Sequence, residues 1–222
     1  MKIKLSSSLF PFCAALAVVA PVEPGATLFE NDRVKVLRAL EKPHVKGKFH
    51  EHKANRVMIY LQPGRQSFEY QDGRKAEVFN WKAGQAVWSP ASGMHSPEVL
   101  SDASFNIIEV ECKYVGSGKQ ITDIGDPVKS DPNQYKVEFE NDQVRVVRVK
   151  VGPHEAIPMH EHTLNRVTVF LTDQVDQLTS SDGKVETVQH KAGDVTWGTA
   201  IKHREQNMGD KAFELVIVDI KS

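Results

Sequence analysis

Cysteine is nearly absent. Cys13 and Cys112 are the only two in 222 residues, too few for a disulfide framework. No charge of one sign dominates either: Lys plus Arg number 28 and Asp plus Glu 29, a formal net charge of −1. That balance offers no basic excess for nucleic acid and no acidic tail. Long hydrophobic runs are missing except at the extreme N-terminus, which excludes a multi-span membrane protein. No stretch carries a sustained 3.6-residue periodicity with caps, so the pattern argues against a helical fold. Glycine-rich phosphate loops, a nucleophile elbow and a zinc-protease helix are also lacking. What remains is a globular balance, 40% apolar and 26% charged, in a length that suits one or two domains.

The N-terminal run reads as a targeting segment. Met1-Lys2-Ile3-Lys4 is a short basic start, and Leu5 to Ala20 is uncharged and mostly apolar. Ala15-Leu16-Ala17 fits a small-x-small cleavage site, with Val18-Val19-Ala20 as a second option. Residues 1–20 are therefore expected to be a signal peptide, and the protein to be exported, periplasmic or extracellular. No membrane span is expected after its removal. Cleavage would remove Cys13 and leave Cys112 without a partner.

The rest of the chain is a tandem repeat. Phe29-Glu30-Asn31-Asp32 recurs as Phe139-Glu140-Asn141-Asp142, and His50-Glu51-His52 as His160-Glu161-His162, both at an offset of 110. Asp72-Gly73 matches Asp182-Gly183 at the same offset. Trp88 then matches Trp197 at 109, and His95 matches His203 at 108. The shrinking offset places the two lost residues in loops, where length changes are tolerated. The two copies span 27–115 and 134–222, and residues 116–133, rich in Gly, Ser, Asp and Pro, read as a linker. Each copy reads as β. Short apolar runs such as Val57 to Leu61, Val167 to Leu171 and Phe213 to Ile220 suit strands, and the Asp-Gly pairs suit hairpin turns. Turn signals every 8–12 residues or so predict an antiparallel barrel or sandwich.

The nine histidines carry the chemistry. Eight fall at matched positions: His44/His154, His50/His160, His52/His162 and His95/His203. His190 alone is unmatched and aligns with Trp81. On a strand, residues i and i+2 share a face, so His50 and His52 project together, as do His160 and His162. A third histidine on a neighbouring strand, His95 or His203, would complete three imidazoles around a divalent metal. His44 and His154, each after a proline, read as turn histidines, with a further ligand role as the alternative. Trp88, Trp197 and Tyr60 read as packing residues.

With these residues in place, the chain resembles the two-domain members of the cupin superfamily, the bicupins. The first cupin motif has a glycine, His-x-His and a following glutamate; the second has a glycine, a Pro-x-Gly turn, a histidine and an asparagine. Gly84, Pro90 and His95 match the second motif in copy one, and Gly193, His203 and Asn207 match it in copy two. The resemblance covers nearly the whole chain after the leader. It implies an all-β protein of two tandem double-stranded β-helix (jelly-roll) barrels, each with a metal held inside. There are departures. His44 and His154 stand where the first-motif glycine belongs, Arg56 and Arg166 where its glutamate belongs, and Ser92 and Val99 break the second motif in copy one. What carries over is three histidines per copy, as in three-histidine cupins, several of which are iron dioxygenases.

Arg56 and Arg166 are candidate substrate-binding residues. Counting by two from His52 turns Arg56 inward, where a guanidinium would hold a carboxylate bidentately. The competing placement, favoured because cupin turns often interrupt strand phase here, turns both arginines outward and Asn55 and Asn165 in. The expected cofactor is a divalent metal on His50, His52 and His95 and on His160, His162 and His203. Iron is favoured, ahead of zinc, manganese, nickel or copper. The expected partner is a small molecule, and a homodimer stays open. The function is expected to be a metal-dependent enzyme, most concretely dioxygenase-like. A non-catalytic metal- or ligand-binding cupin is the alternative, and a metal-free structural role ranks last.

Overall fold

The computed structural model describes residues 25–119, 121 and 125–222; the expected signal peptide lies outside them. Copy one forms β1 (Ala26–Glu30), β2 (Val34–Glu41), β3 (His50–His52), β4 (Arg56–Tyr60), β5 (Gly64–Tyr70), β6 (Glu77–Trp81), β7 (Gln85–Ser89), β8 (Ser92–Val99) and β9 (Phe105–Cys112). A single helical turn, α1 (Pro127–Ser130), follows in the linker. Copy two forms β10 (Tyr135–Glu140), β11 (Val144–Val151), β12 (Ala156–His162), β13 (Arg166–Phe170), β14 (Gln174–Ser180), β15 (Val185–His190), β16 (Val195–Gly198), β17 (Ile201–Asn207) and β18 (Phe213–Ile220).

Each copy builds two antiparallel sheets. In copy one they run β1-β2-β9-β4-β7 and β3-β8-β5-β6; in copy two, β10-β11-β18-β13-β16 and β12-β17-β14-β15. The repeated Phe-Glu-Asn-Asp sequence ends the first strand of each copy and begins the turn to the second. Asn31 Oδ1 accepts the Arg33 and Val34 amides at 2.8 and 2.9 Å, and Asn141 Oδ1 accepts those of Gln143 and Val144 at 2.9 and 3.0 Å. The Asp-Gly pairs close the β5–β6 and β14–β15 hairpins, with Gly73 and Gly183 at φ +81° and +86°, a region open to glycine.

The five-stranded sheets are buried on both faces, which explains their unbroken apolar runs. On β4, Arg56, Met58 and Tyr60 alternate with Val57 and Ile59, and all five are buried. Val57 and Ile59 join Val34, Val36, Ile108 and Val110 in a core shared with Val144, Val146, Val167, Val169, Val216 and Val218 of copy two. The two barrels therefore meet through a common hydrophobic layer. Reciprocal arginines tie its edge: Arg38 donates to the Gly193 carbonyl, and Arg148 Nη2 to the Gly84 carbonyl at 2.6 Å. Gly84 lies at φ +72°, and a Cβ there would sit 2.7 Å from Leu171 Cδ1. The matched Lys-Ala-Gly triplets thus make inter-barrel contacts as well as turns.

The linker is partly built into copy two. Asp126 caps α1 and is itself buried, paired with Arg145 Nη1 at 2.6 Å. Arg145 also meets Asp219 at 2.8 Å. Among the described residues, no helix is long and apolar enough to cross a membrane.

Candidate metal centres and their cavities

In barrel 1, β3 and β8 pair so that His50 lies opposite His95. His52, two residues along β3, turns to the same face. The three ring centroids are 4.9, 4.7 and 5.2 Å apart. His50 Nδ1 donates to the Lys48 carbonyl at 2.9 Å, which fixes the tautomer and leaves the Nε2 lone pair facing the other rings. That Nε2 stands 3.1 Å from His52 Nε2. Two nitrogens bound to one metal at ordinary bond lengths are roughly 3.0–3.4 Å apart, so the spacing suits shared coordination.

Barrel 2 repeats the arrangement from β12 and β17, with His160 opposite His203. His160 Nδ1 donates to the Pro158 carbonyl at 2.9 Å, and His160 Nε2 stands 3.2 Å from His162 Nε2. All three rings are buried, at 1, 6 and 6% exposure for His160, His162 and His203. Neither ring nitrogen of His203 has a hydrogen-bond partner in the protein. Buried polar atoms left orphaned are costly, and a cation at the centre of the triad would satisfy the inward one.

Electrostatics agree with that use. Burial, then the charge of Arg56, pushes His52 down to about 3. Burial pushes His203 down to about 3 as well, helped by His160 and Arg166. It also lowers His95, His160 and, furthest, His162. Neutral imidazoles with free lone pairs are the form that binds metal.

The arginines differ between copies. Arg56 is 3% exposed and faces the interior of barrel 1, so the outward placement expected from an interrupted strand phase is wrong there. The strand does break after His52. The chain rejoins the sheet at Arg56 with the inward phase restored, while Asn55 donates across to Gln143 of copy two at 2.6 Å. Arg56 Nε lies 3.2 Å from Glu109 Oε2. Its Nη1 is buried with no partner. Arg166 also borders the interior of its barrel, yet Nη1 donates to the Thr199 carbonyl at 2.7 Å and the guanidinium packs over Gly198. The cause is one strand away: Ile217 occupies in β18 the place that Glu109 takes in β9.

Glu109 is a site residue the sequence reading missed. Its carboxylate and that of Glu111 each lie within 4.8 Å of a His52 ring nitrogen. An acid from β9 thus stands near the triad although the cupin-motif glutamate is replaced by Arg56. The available signal was a pair of acids, Glu109 and Glu111, at alternate positions of a largely apolar strand. Tyr135 was missed too. It is 2% exposed and its hydroxyl lies 3.5 Å from His160 Nε2. The repeat aligns it with Gly25. Glu205, two residues after His203, is a third omission, and burial lifts it to about 8.

Other expected residues settle as packing. His44 and His154 adopt φ +54° and +59° at the glycine position of the motif. Each is exposed and pairs outside the site, with Asp102 at 2.9 Å and Asp210 at 3.0 Å. They take the turn role and contribute no ligand. Trp88 and Trp197 pack against the inter-barrel core. Tyr60 is 1% exposed and stacks on Trp81, with centroids 4.2 Å apart. His190 stacks on Phe170 at 3.8 Å in the same way, which accounts for the unmatched ninth histidine. Cys112 is buried, and burial raises its thiol to about 11, so it is a poor nucleophile.

A cavity of about 470 Å³ opens beside His95 and Arg56 in barrel 1. One of about 150 Å³ lies beside His162, His203 and Arg166 in barrel 2.

No known family profile matches the sequence, and no curated protein does. Solved structures do match in fold. A variant of oxalate decarboxylase from Bacillus subtilis superposes with a TM-score of 0.61 at 15% identity, covering 90% of this chain and 74% of that one. AerE from Microcystis aeruginosa gives 0.59 at 13% identity, over 90% and 98% of the two chains. A cupin 2 conserved barrel domain protein from Leptotrichia buccalis gives 0.56 at 12% identity, over 91% and 92%. With two jelly-roll units packed through one shared core and a histidine triad inside each, the chain has the bicupin fold of the cupin superfamily.

Proposed function

We propose that each barrel holds one divalent metal on its three histidines, and that the protein, exported after loss of residues 1–20, acts on a small carboxylate-bearing molecule. The observation that carries this reading is buried His203, whose ring nitrogens have no partner in the protein and whose ring stands 4.6 and 5.5 Å from those of His160 and His162. Iron is the first choice, with a dioxygenase-like reaction as the concrete form. The Bacillus subtilis neighbour is named for the decarboxylation of oxalate, a small dicarboxylate, and for Mn(II) centres, so manganese belongs in the same test. A metal on three imidazoles keeps positions free to polarise a substrate oxygen or to bind dioxygen.

The residues of the chain do the rest. Lys48 and Pro158 carbonyls hold the first histidine of each triad in one tautomer. Arg56 offers an unpaired N–H to a carboxylate inside barrel 1. Turnover belongs to barrel 1. Barrel 2, with all three histidines buried, Tyr135 against His160 and a cavity of only about 150 Å³, leaves less room for a substrate and suits a binding or structural metal.

The test is His50→Ala combined with His52→Ala. Metal content should fall by about half while barrel 2 stays loaded. An unchanged count would end the assignment.

A further inference from the structure

Resting on that reading, we infer that the cavity of barrel 1 takes a flat aromatic ring bearing a carboxylate, that Arg56 holds the carboxylate, and that barrel 2 does not take such a ligand. Three observations carry this.

The first is the wall. Tyr60 and Trp81 stack with centroids 4.2 Å apart and planes 13° apart, and Trp81 stacks on Phe79 at 5.2 Å and 11°. Phe79 meets Phe68 edge-on at 5.8 Å, and Phe68 meets the ligand histidine His95 at 5.7 Å. A continuous aromatic surface therefore leads to the metal site. Phe68, Phe79 and Trp81 are half-buried and line the cavity, and their open ring surface favours another flat ring over an aliphatic chain of equal size.

The second is polarity. The polar handles of this wall are already used. Tyr60 Oη and Trp81 Nε1 both donate to Gln66 Oε1, at 3.0 and 2.9 Å. Arg56 also borders the cavity, and its Nη1 is buried without an acceptor. Glu109 Oε2 comes within 3.2 Å of Nε, yet Nε too is left without a hydrogen-bond partner. A ligand with an apolar body and one anionic oxygen pair matches this under-partnered guanidinium, and a neutral acceptor matches it more weakly.

The third is the internal control. At the positions of Phe68, Tyr70, Phe79 and Trp81, copy two carries Leu178, Ser180, Val188 and His190. The Phe68, Phe79 and Trp81 rings are gone, leaving Tyr135, Phe170 and His190; the cavity is about 150 Å³ against about 470 Å³, and the Arg166 Nη1 donates to the Thr199 carbonyl. A single repeat unit has thus diverged into one roomy aromatic site and one small closed site.

The test is titration of the purified metal-loaded protein with benzoate, benzamide, cyclohexanecarboxylate and acetate, followed by calorimetry and tryptophan fluorescence. Metal content is measured on the same samples. One benzoate per chain is expected, with the other three probes weaker by about tenfold or more. Arg56→Gln should weaken benzoate by about tenfold, and Arg166→Gln should leave it unchanged. If Arg56→Gln fails to fold because Glu109 is stranded, Phe79→Val combined with Tyr70→Ser keeps the ion pair. It removes two of the rings and should also weaken benzoate. Benzoate no tighter than acetate on a metal-loaded chain overturns the inference. So does benzoate binding that follows Arg166. Protein that carries no metal yet binds one benzoate through Arg56 overturns the metal reading and leaves the cavity assignment standing.

Discussion

Glu109→Ile places in barrel 1 the residue that barrel 2 carries at the same point. Glu109 and Arg56 face each other in the interior, with side chains 12 and 3% exposed and 3.2 Å apart. Burial holds Glu109 above the ordinary carboxylate range despite the guanidinium, and it lowers Arg56 despite the carboxylate. Desolvation therefore outweighs attraction for both partners, as in a buried pair that contributes little net stability. Removing one partner alone is a different matter, because the other stays buried and uncompensated. Glu109→Ile should cost about 3–5 kcal/mol. For a cooperative unit of this size that lowers Tm by roughly 6–20 °C. Arg56→Met with Glu109→Ile should return the stability to within about 1 kcal/mol of the parent, or exceed it. The assay is thermal and urea unfolding by circular dichroism on chelator-treated protein, so that metal binding does not contribute. A single variant that loses less than about 1 kcal/mol, or a double variant as unstable as the sum of the singles, would refute the reasoning.

Two further outcomes follow from the interior. Burial raises Glu41 from its usual value to about 7, against the opposing hydrogen bond from Gln66. Because the folded state prefers the protonated acid, stability is fullest below the unfolded pKa near 4.5 and falls as pH rises through about 7. Glu41→Gln, which keeps the acceptor for Gln66, should match the parent at pH 4 and be more stable at pH 8, on the order of 2–3 kcal/mol; equal melting curves at pH 8 would contradict this. A chelator should strip metal in two phases, because barrel 2 buries all three histidines while barrel 1 leaves His50 the most open of its set. Loss of the fast phase in the His50→Ala, His52→Ala protein identifies barrel 1, and a single phase with both sites filled would show that burial does not gate exchange.

The histidine triads were legible because strand periodicity and duplication act together. His-x-His on a strand shares a face whatever the surroundings, and the second copy repeats the spacing. The paired strands were legible from apolar runs, since sheets buried on both faces leave no alternation to misread. Arg56 was harder. Its direction depends on how the chain re-enters the sheet after Lys53 to Asn55, and no local pattern records that phase. The partnership with Glu109 joins residues 53 positions apart on neighbouring strands, and only the fold brings them together. Tyr135 was invisible for another reason: it lies where the copies differ, opposite Gly25, and a comparison of copies highlights what they share. The same asymmetry gives barrel 1 more aromatic rings than barrel 2, and it is visible in the alignment of Phe68 with Leu178 and Phe79 with Val188.

The most direct test of the account is metal content per chain, measured by mass spectrometry on mature protein purified without chelator or histidine tag. The account predicts close to two divalent metal ions per chain, iron first, with both lost when His52 and His162 are replaced by alanine. A chain that carries no metal, and shows no thermal shift on addition of iron, manganese, zinc, nickel or copper, would contradict it.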